Sequence, residues 1–439
     1  MQIDRRGALK AFLSGAAATA LPTAASAYPV VVKKAEHSFT LGNGLRTHFI
    51  ANGSGYVTAT LVLRSKEITH NGLAHLCEHI SCTGAAGNMT AAQVTALYKD
   101  CIQDGNATTE AGALKWHATF LPRYLPEVLG LLATSSLDQK FDLPTVAAQQ
   151  RVVLEELYLD KYSSTVQAER KFDRALYGST HPYAKETLAE EIARCKISPE
   201  ALASELHAFA AKTRLPANMD LFVVGGIDPE ALRREVEKSF GGFAYARGER
   251  LEIPNVAVTR EYKALTEPSY ELQRPMTDLR IAWNTGVSFG GADARVLAAL
   301  ASYLNTALFD ELREKDGDTY TPDAYYEPDG CSGVFRIAIS SSKDPLRVEK
   351  KVFDVIEKMK QHVDAKELAR LRDRIVLKRC KERGDNQALL DCLMERTLDG
   401  ASAHDLAVET VTADEIVAAA RNYLPSHRNA YVRLALKGQ

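Results

Sequence analysis

No stretch of this chain approaches the roughly 18–20 consecutive apolar residues that a bilayer-spanning helix needs, so no stable membrane insertion is expected. Excess charge of either sign is missing too. The 54 Lys and Arg against 56 Asp and Glu leave a formal −2, which offers no basic surface to nucleic acid or anionic lipid. The seven cysteines, at 77, 82, 101, 195, 331, 380 and 392, are odd in number and contain no C-x-x-C pair. They make no disulfide framework, and no obligatory disulfide is expected. The phosphate-binding G-x-x-x-x-G-K-[ST] loop and the dinucleotide fingerprint are also absent. What remains is an ordinary globular composition over 439 residues, enough for two large domains.

The N-terminus stands apart. It reads MQIDRRGALKAFLSGAAATALPTAASAYP, with a basic start, a weakly apolar middle and a small-residue end at Ala25-Ser26-Ala27. That is the layout of an export signal over residues 1–27, cleaved after Ala27. Adjacent Arg5 and Arg6, with Leu9 and Lys10 behind them, are similar to the twin-arginine signal of bacteria. Ala8 stands where that pattern prefers Phe, and an ordinary secretory signal is the alternative. Either route predicts a mature protein outside the cytoplasm, in the periplasm.

Along the rest of the chain the periodicity changes repeatedly between two and 3.6 residues. HSFTLGNGLRTHFI and VTATLVLRS read as strands. Helices are expected at 72–83, at 90–103 behind Thr90, at 124–135, at 143–160, and at 199–212 behind Ser198-Pro199. NMDLFVVGGI is a buried strand that closes a first half, with one more helix after Asp228-Pro229. Residues 243–274 are polar and poor in strand signals, and read as a connection. A second half then repeats the order. TDLRIAW is a strand, 291–314 a long helix, GVFRIAIS a strand, and Asp344-Pro345 starts another helix. Thr412 and Glu415 make a capping box before the last helix, and RNAYVRLAL is the final strand. The expected fold class is α+β, with an N-terminal domain at 33–242 and a C-terminal one at 275–439.

Within the helix at 72–83 the sequence is GLAHLCEHI. Positions i and i+4 share a helical face, so His75 and His79 can point at one ion. Glu78 borders that face, where a carboxylate can hold and deprotonate a water. This is the order H-x-x-E-H, the reverse of the commoner zinc helix. On spacing alone the same residues could be merely a solvated face.

The surroundings decide in favour of a site. GLAHLCEHISCTG resembles the pitrilysin-type zinc peptidases, the inverzincin family that includes insulin-degrading enzyme and the mitochondrial processing peptidases. NGLRTHFI, GNATTEAGALKWHATF, HPYAKETLA and LPANMDLFVVGGID follow in the order of that family. The resemblance implies two homologous α/β-sandwich domains in tandem and one Zn2+ per chain. It also implies a third ligand on a distant helix. QQRVVLEELYLD supplies it at Glu156, 77 residues beyond His79. Two histidines and a carboxylate leave a fourth position open, the composition of a catalytic zinc site. Glu155 points about 100° away along that helix and is expected to be solvated.

The same resemblance makes Glu78 the acid–base that deprotonates the zinc-bound water and protonates the leaving amine. Asn106 and Ala107 match its substrate-binding edge strand, where peptides add as an extra strand. LREKDGDTY matches its Arg-x6-Tyr signature, placing Arg313 and Tyr320 against the substrate from the second half. One departure stands out. Gln149 occupies the position of a second glutamate seven residues before the ligand, where it could hydrogen-bond a ligand histidine but brings no charge. The family builds its chamber from four such domains, and this chain has two, so a homodimer is implied, or a heterodimer with a paralogous subunit. The expected activity is zinc-dependent endopeptidase action on short unstructured peptides. The alternative is a weak or inactive peptide-binding or structural subunit. Cys82 lies i+3 from His79 and could approach the metal, but a buried thiol is the plainer reading. His70 and His117 are read as structural or surface residues.

Overall fold

A computed structural model of the chain describes residues 35–438, apart from 69–71, 180, 182, 185–186, 247, 249–262, 274, 289, 329–332, 342, 403–405 and 428–429. The export signal read at 1–27 and His70 therefore lie outside the described residues.

The first half forms a six-stranded sheet from β1 (Ala35–Thr40), β2 (Arg46–Ala51), β3 (Val57–Arg64), β4 (Ile102–Glu110), β5 (Ala113–Phe120) and β6 (Met219–Gly225). Their spatial order is β1-β2-β6-β3-β5-β4, so β4 is an edge. Only β2 and β6 run parallel; the other pairs are antiparallel. The helices of this half are α1 (Gly72–Thr83), α2 (Ala91–Cys101), α3 (Leu125–Leu137), α4 (Leu143–Tyr162), α5 (Ser164–Tyr177), α6 (Leu188–Cys195), α7 (Pro199–Thr213) and α8 (Pro229–Phe240).

The second half repeats the plan with β7 (Lys263–Ser269), β8 (Thr277–Asn284), β9 (Thr319–Pro328), β10 (Gly333–Ser341) and β11 (Val432–Gly438). The order β7-β11-β8-β10-β9 matches the first sheet without β1, and again only the first pair is parallel. Its helices are α9 (Ala294–Leu308), α10 (Pro345–Met359), α11 (Ala365–Glu382), α12 (Asn386–Asp399) and α13 (Ala413–Tyr423).

The expected caps are in place. Thr90 and Thr412 close reciprocal capping boxes with Gln93 and Glu415. Ser198, Asp228 and Asp344 each accept a backbone N–H at the start of a helix that begins with proline. Two expectations need correction. The stretch 243–274 is not all connection, because β7 lies in it. That strand is an exposed edge of mixed polar and apolar residues, and so lacks the alternation that marks a half-buried strand. The helix expected at 291–314 stops being α-helical at Leu308 and continues as a π-helical turn, Phe309–Lys315.

One face of each sheet carries its own helices over a large apolar core. The opposite face is covered by a helix from the other half. Ala168, Phe172 and Leu176, at i, i+4 and i+8 of α5, pack on Ala282, Val334, Val432, Leu434 and Leu436 of the second sheet. Leu390 and Leu393 of α12 pack on Ile50, Val62, Phe222 and Val224 of the first. Asn386 fastens the start of α12 to the first half, bonding Asn52 at 2.7 Å and Ser54 at 3.0 Å. Among the described residues no helix is long and apolar enough to cross a membrane.

Candidate metal centre

Helix α1 runs against the edge strand β4 and against α4. Leu73, Ala74, Leu76, Cys77 and Ile80 bury one side of it, which turns His75, Glu78, His79 and Cys82 toward those two elements. The helix ends where the chain passes Gln139. A Cβ on Gly84 would sit 2.8 Å from the Gln139 amide nitrogen and 2.9 Å from Ile80, so a side chain there cannot fit without movement. Behind the helix lies Arg214, a buried cation that sequence reasoning passed over. It donates to Ser135 O at 3.1 Å, to Ser81 Oγ at 3.4 Å and to Cys77 O at 3.5 Å. The aromatic faces of Trp116 and Phe141 cover it.

The structure brings His75, His79 and Glu156 together, and theirs is the single group of three potential metal-ligating side chains among the described residues. His79 Nε2 is 3.2 Å from His75 Nε2. Glu156 Oε2 is 3.3 Å from His79 Nε2 and 3.5 Å from His75 Nε2. Three ligands held about 2.0–2.1 Å from a tetrahedral ion stand roughly 3.3–3.4 Å from one another, so this triangle fits such an ion. Two imidazole nitrogens facing each other beside a carboxylate also cannot all be satisfied by one shared proton. Burial pushes the His75 imidazole below its ordinary value, which favours the neutral, ligand-competent form; the nearby Glu78 and Glu156 carboxylates oppose that shift. Glu156 is half-exposed on α4, and Glu155 is exposed, as the helical geometry requires.

Glu78 is held by a residue that the motif does not contain. Thr109 Oγ1 donates to Glu78 Oε2 at 2.6 Å. The signal was available in the strand alternation, since Thr109 is two residues beyond Ala107 and shares its face of β4. On β4, Asn106 is exposed and Ala107 buried. Glu110 lies opposite Ala113 across a two-residue turn, which directs the N–H groups of Gly105, Ala107 and Thr109 away from β5. The Ala107 N–H is already engaged, donating to Asn106 Oδ1 at 2.9 Å.

The remaining residues fall elsewhere. Gln149 is half-buried on α4, and among the described residues it makes no hydrogen bond to either histidine. Cys82 Sγ faces Tyr98 Oη at 3.6 Å, and burial pushes its thiol up, as it does that of Cys77. Neither thiol joins the ligand set. The six described cysteines carry no disulfide, and Cys331 is outside the described residues. His117 is structural, its Nδ1 3.1 Å from Thr60 Oγ1. Arg313 and Tyr320 lie in the second half. Arg313 is in the π-helical turn, over the Phe309 ring at 4.8 Å. Tyr320 is at a register shift of the edge strand β9. Against the expectation that this chain carries no serine elbow, GVSFG at 286–290 matches G-x-S-x-G between β8 and α9. No histidine among the described residues bonds Ser288, so the match lacks a base.

Comparisons with known proteins agree with this layout. Residues 64–182 match the family model described as insulinase (peptidase family M16), and residues 202–375 the model described as peptidase M16 inactive domain. A Rickettsia felis protein named as an uncharacterized zinc protease is 23% identical over 323 residues, covering 71% of this chain and 74% of that one. A protease from Helicobacter pylori superposes with a TM-score of 0.79 at 16% identity, covering 92% of this chain and 100% of that one. The periplasmic protease PqqL from Escherichia coli gives 0.75 at 14% identity, covering 91% of this chain but 47% of that one. At such identities the structural likenesses speak for the fold alone.

Proposed function

Because the chain belongs to the pitrilysin-type, or insulinase, peptidase family, we propose that it is a zinc-dependent endopeptidase acting on short unstructured peptides. The observation that carries this reading is the triangle of His75, His79 and Glu156 with Glu78 beside it on the same helix. His75, His79 and Glu156 would hold the zinc. Zinc bound there supplies a Lewis acid that polarises the scissile carbonyl and makes water acidic near neutral pH. Glu78 takes a proton at Oε1, its Oε2 being committed to Thr109, and returns it to the leaving amine. The outward backbone groups of β4 hold the peptide as an added strand, and alternate side chains enter pockets that choose the sequence. Arg313 and Tyr320 donate to the substrate from the second half.

The proposed periplasmic location rests on the twin-arginine-like start. The chain spans about half of the E. coli protease, which supports a homodimer in which two copies enclose one chamber. A paralogous partner would serve as well. Gln149 favours a second reading, a weak or inactive peptide-binding subunit, because it adds no charge beside the ligands. One experiment separates the two. Zinc content is measured together with cleavage of a quenched library of roughly 10–20-residue peptides, for wild type, Glu78→Gln and Gln149→Glu. About one zinc per chain, with cleavage that chelator abolishes and Glu78→Gln cuts to a small measurable remainder, is expected. Zinc with cleavage only in Gln149→Glu supports the second reading, and absence of zinc overturns both the metal site and the peptidase.

A further inference from the structure

We infer that Thr109 is a positioning residue that couples the peptide-binding edge strand to the base. The inference rests on the peptidase reading above and deepens it. A carboxylate on a helix can turn about its terminal bond, and a hydrogen bond to one of its oxygens limits that turn and leaves the other oxygen free for a proton. The Thr109 hydroxyl supplies that restraint through a hydrogen bond of 2.6 Å to Glu78 Oε2, in the length range of strong charge-assisted O–H···O⁻ contacts. A threonine side chain is stiff about its first torsion, so the strand backbone dictates where the hydroxyl points.

The same residue lies where substrate must dock. Its N–H is one of the outward groups of β4, three positions from Asn106. A peptide that pairs with this edge therefore bonds the backbone of the residue whose side chain aims the base. Substrate alignment and proton-transfer geometry share one anchor. A second contact keeps the spacing of α1 and β4 without Thr109. Cys82, one turn beyond Glu78, rests between Tyr98 Oη and the Ala107 backbone. Removing the hydroxyl should thus disturb orientation rather than packing.

The test compares Thr109→Val, which keeps the shape, with Thr109→Ser, which keeps the donor, each alone, and Thr109→Val also in the Glu78→Gln background. Four quantities are read: zinc per chain, affinity of the metal-free protein for a fluorescent peptide, KM and kcat. Thr109→Val should keep zinc content, peptide affinity and KM within about twofold while kcat falls about 10–100-fold, the range of outer-shell changes. Thr109→Ser should recover most of kcat, and Thr109→Val should cost nothing further once Glu78 is Gln. An unchanged kcat in Thr109→Val overturns the inference. So does a loss of zinc or peptide affinity that matches the loss of kcat, or a loss additive with Glu78→Gln. If Glu78→Gln itself turns over like wild type, the underlying reading fails together with this one; if Glu78→Gln has lost nearly all of its kcat and Thr109→Val is fully active, this inference alone fails.

Discussion

Helix α1 of the first half and helix α9 of the second follow corresponding strands of sheets with the same order. Their contents differ sharply. Twelve residues of α1 hold two histidines and a glutamate, whereas α9 is ARVLAALASYLNTAL and buries most of its length in the core. The second half departs from regularity further on, in the π-helical turn at 309–315, the left-handed Gly317 with φ +60°, and the register shift at Tyr320. Such irregularities are enriched at functional sites. The edge strands differ as well. β4 contains no proline, while β9 has Pro322 and Pro328. Within a ladder proline is tolerated where its nitrogen faces outward, so β9 presents a row with missing donors. The two halves show how one topology is specialised by a few residues: one edge stays open for pairing beside the chemistry, and the other is blunted against it.

The largest test of this contrast is at the ligands. Glu156→Gln should empty the site and lower cleavage by more than about 100-fold, beyond what outer-shell changes do, as read by zinc content and peptide turnover. Arg313→Ala should retain zinc yet lose about 100–1,000-fold in kcat; full activity would reduce the second half to scaffold.

Next come the exchanged helices. Phe172→Ala and Leu390→Ala should cost about 3–5 and 2–5 kcal/mol respectively. Chemical denaturation should displace one shared transition in both variants. Separate transitions, each moved by only one variant, would mean that the halves fold independently.

A smaller effect is expected at the blunted edge. Pro322→Thr with Pro328→Thr should raise peptide stoichiometry on the metal-free protein above that of wild type, through weak binding at β9. Unchanged stoichiometry would show that something besides proline closes that edge.

The smallest concerns charge under α12. Burial holds the Asp391 carboxyl above its usual range, against the opposing hydrogen bond from Gln387 and the nearby Lys115 and His117. A raised folded value means that the charged form costs stability once the pH exceeds the unfolded value, and costs nothing below it. Asp391→Asn should therefore raise the melting temperature slightly at neutral pH, with the gain vanishing as the pH falls below the carboxylate range. A gain that persists in acid would assign the effect to packing instead.

Much of this was legible in the sequence because the signals are local. The i, i+4 histidines fixed a shared face, and capping residues at Thr90, Ser198, Asp344 and Thr412 marked helix starts within a residue. Glu156 was reachable only through the family resemblance, since no periodicity links it to a helix 77 residues away. Arg214 was missed because its partners lie on other elements and leave no local pattern; for Thr109 the alternation of β4 gives the face, but not that its partner on α1 is Glu78. The stripe at Ala168, Phe172 and Leu176 is an ordinary amphipathic signal. That it belongs on the opposite sheet is a long-range choice that local periodicity does not encode.

The reciprocal placement of α5 and α12 has a consequence for biosynthesis. The first sheet is the earlier one to leave the ribosome, yet one of its faces stays uncovered until residues 386–399 have been made. Domains commonly fold as they emerge, N-terminal first; here the first sheet gains the cover of its second face only when α12 arrives. A break in the chain at the connection between the halves would leave each sheet with an apolar face that only the other fragment can close. Split pieces should then be insoluble when made separately and recover only when made together.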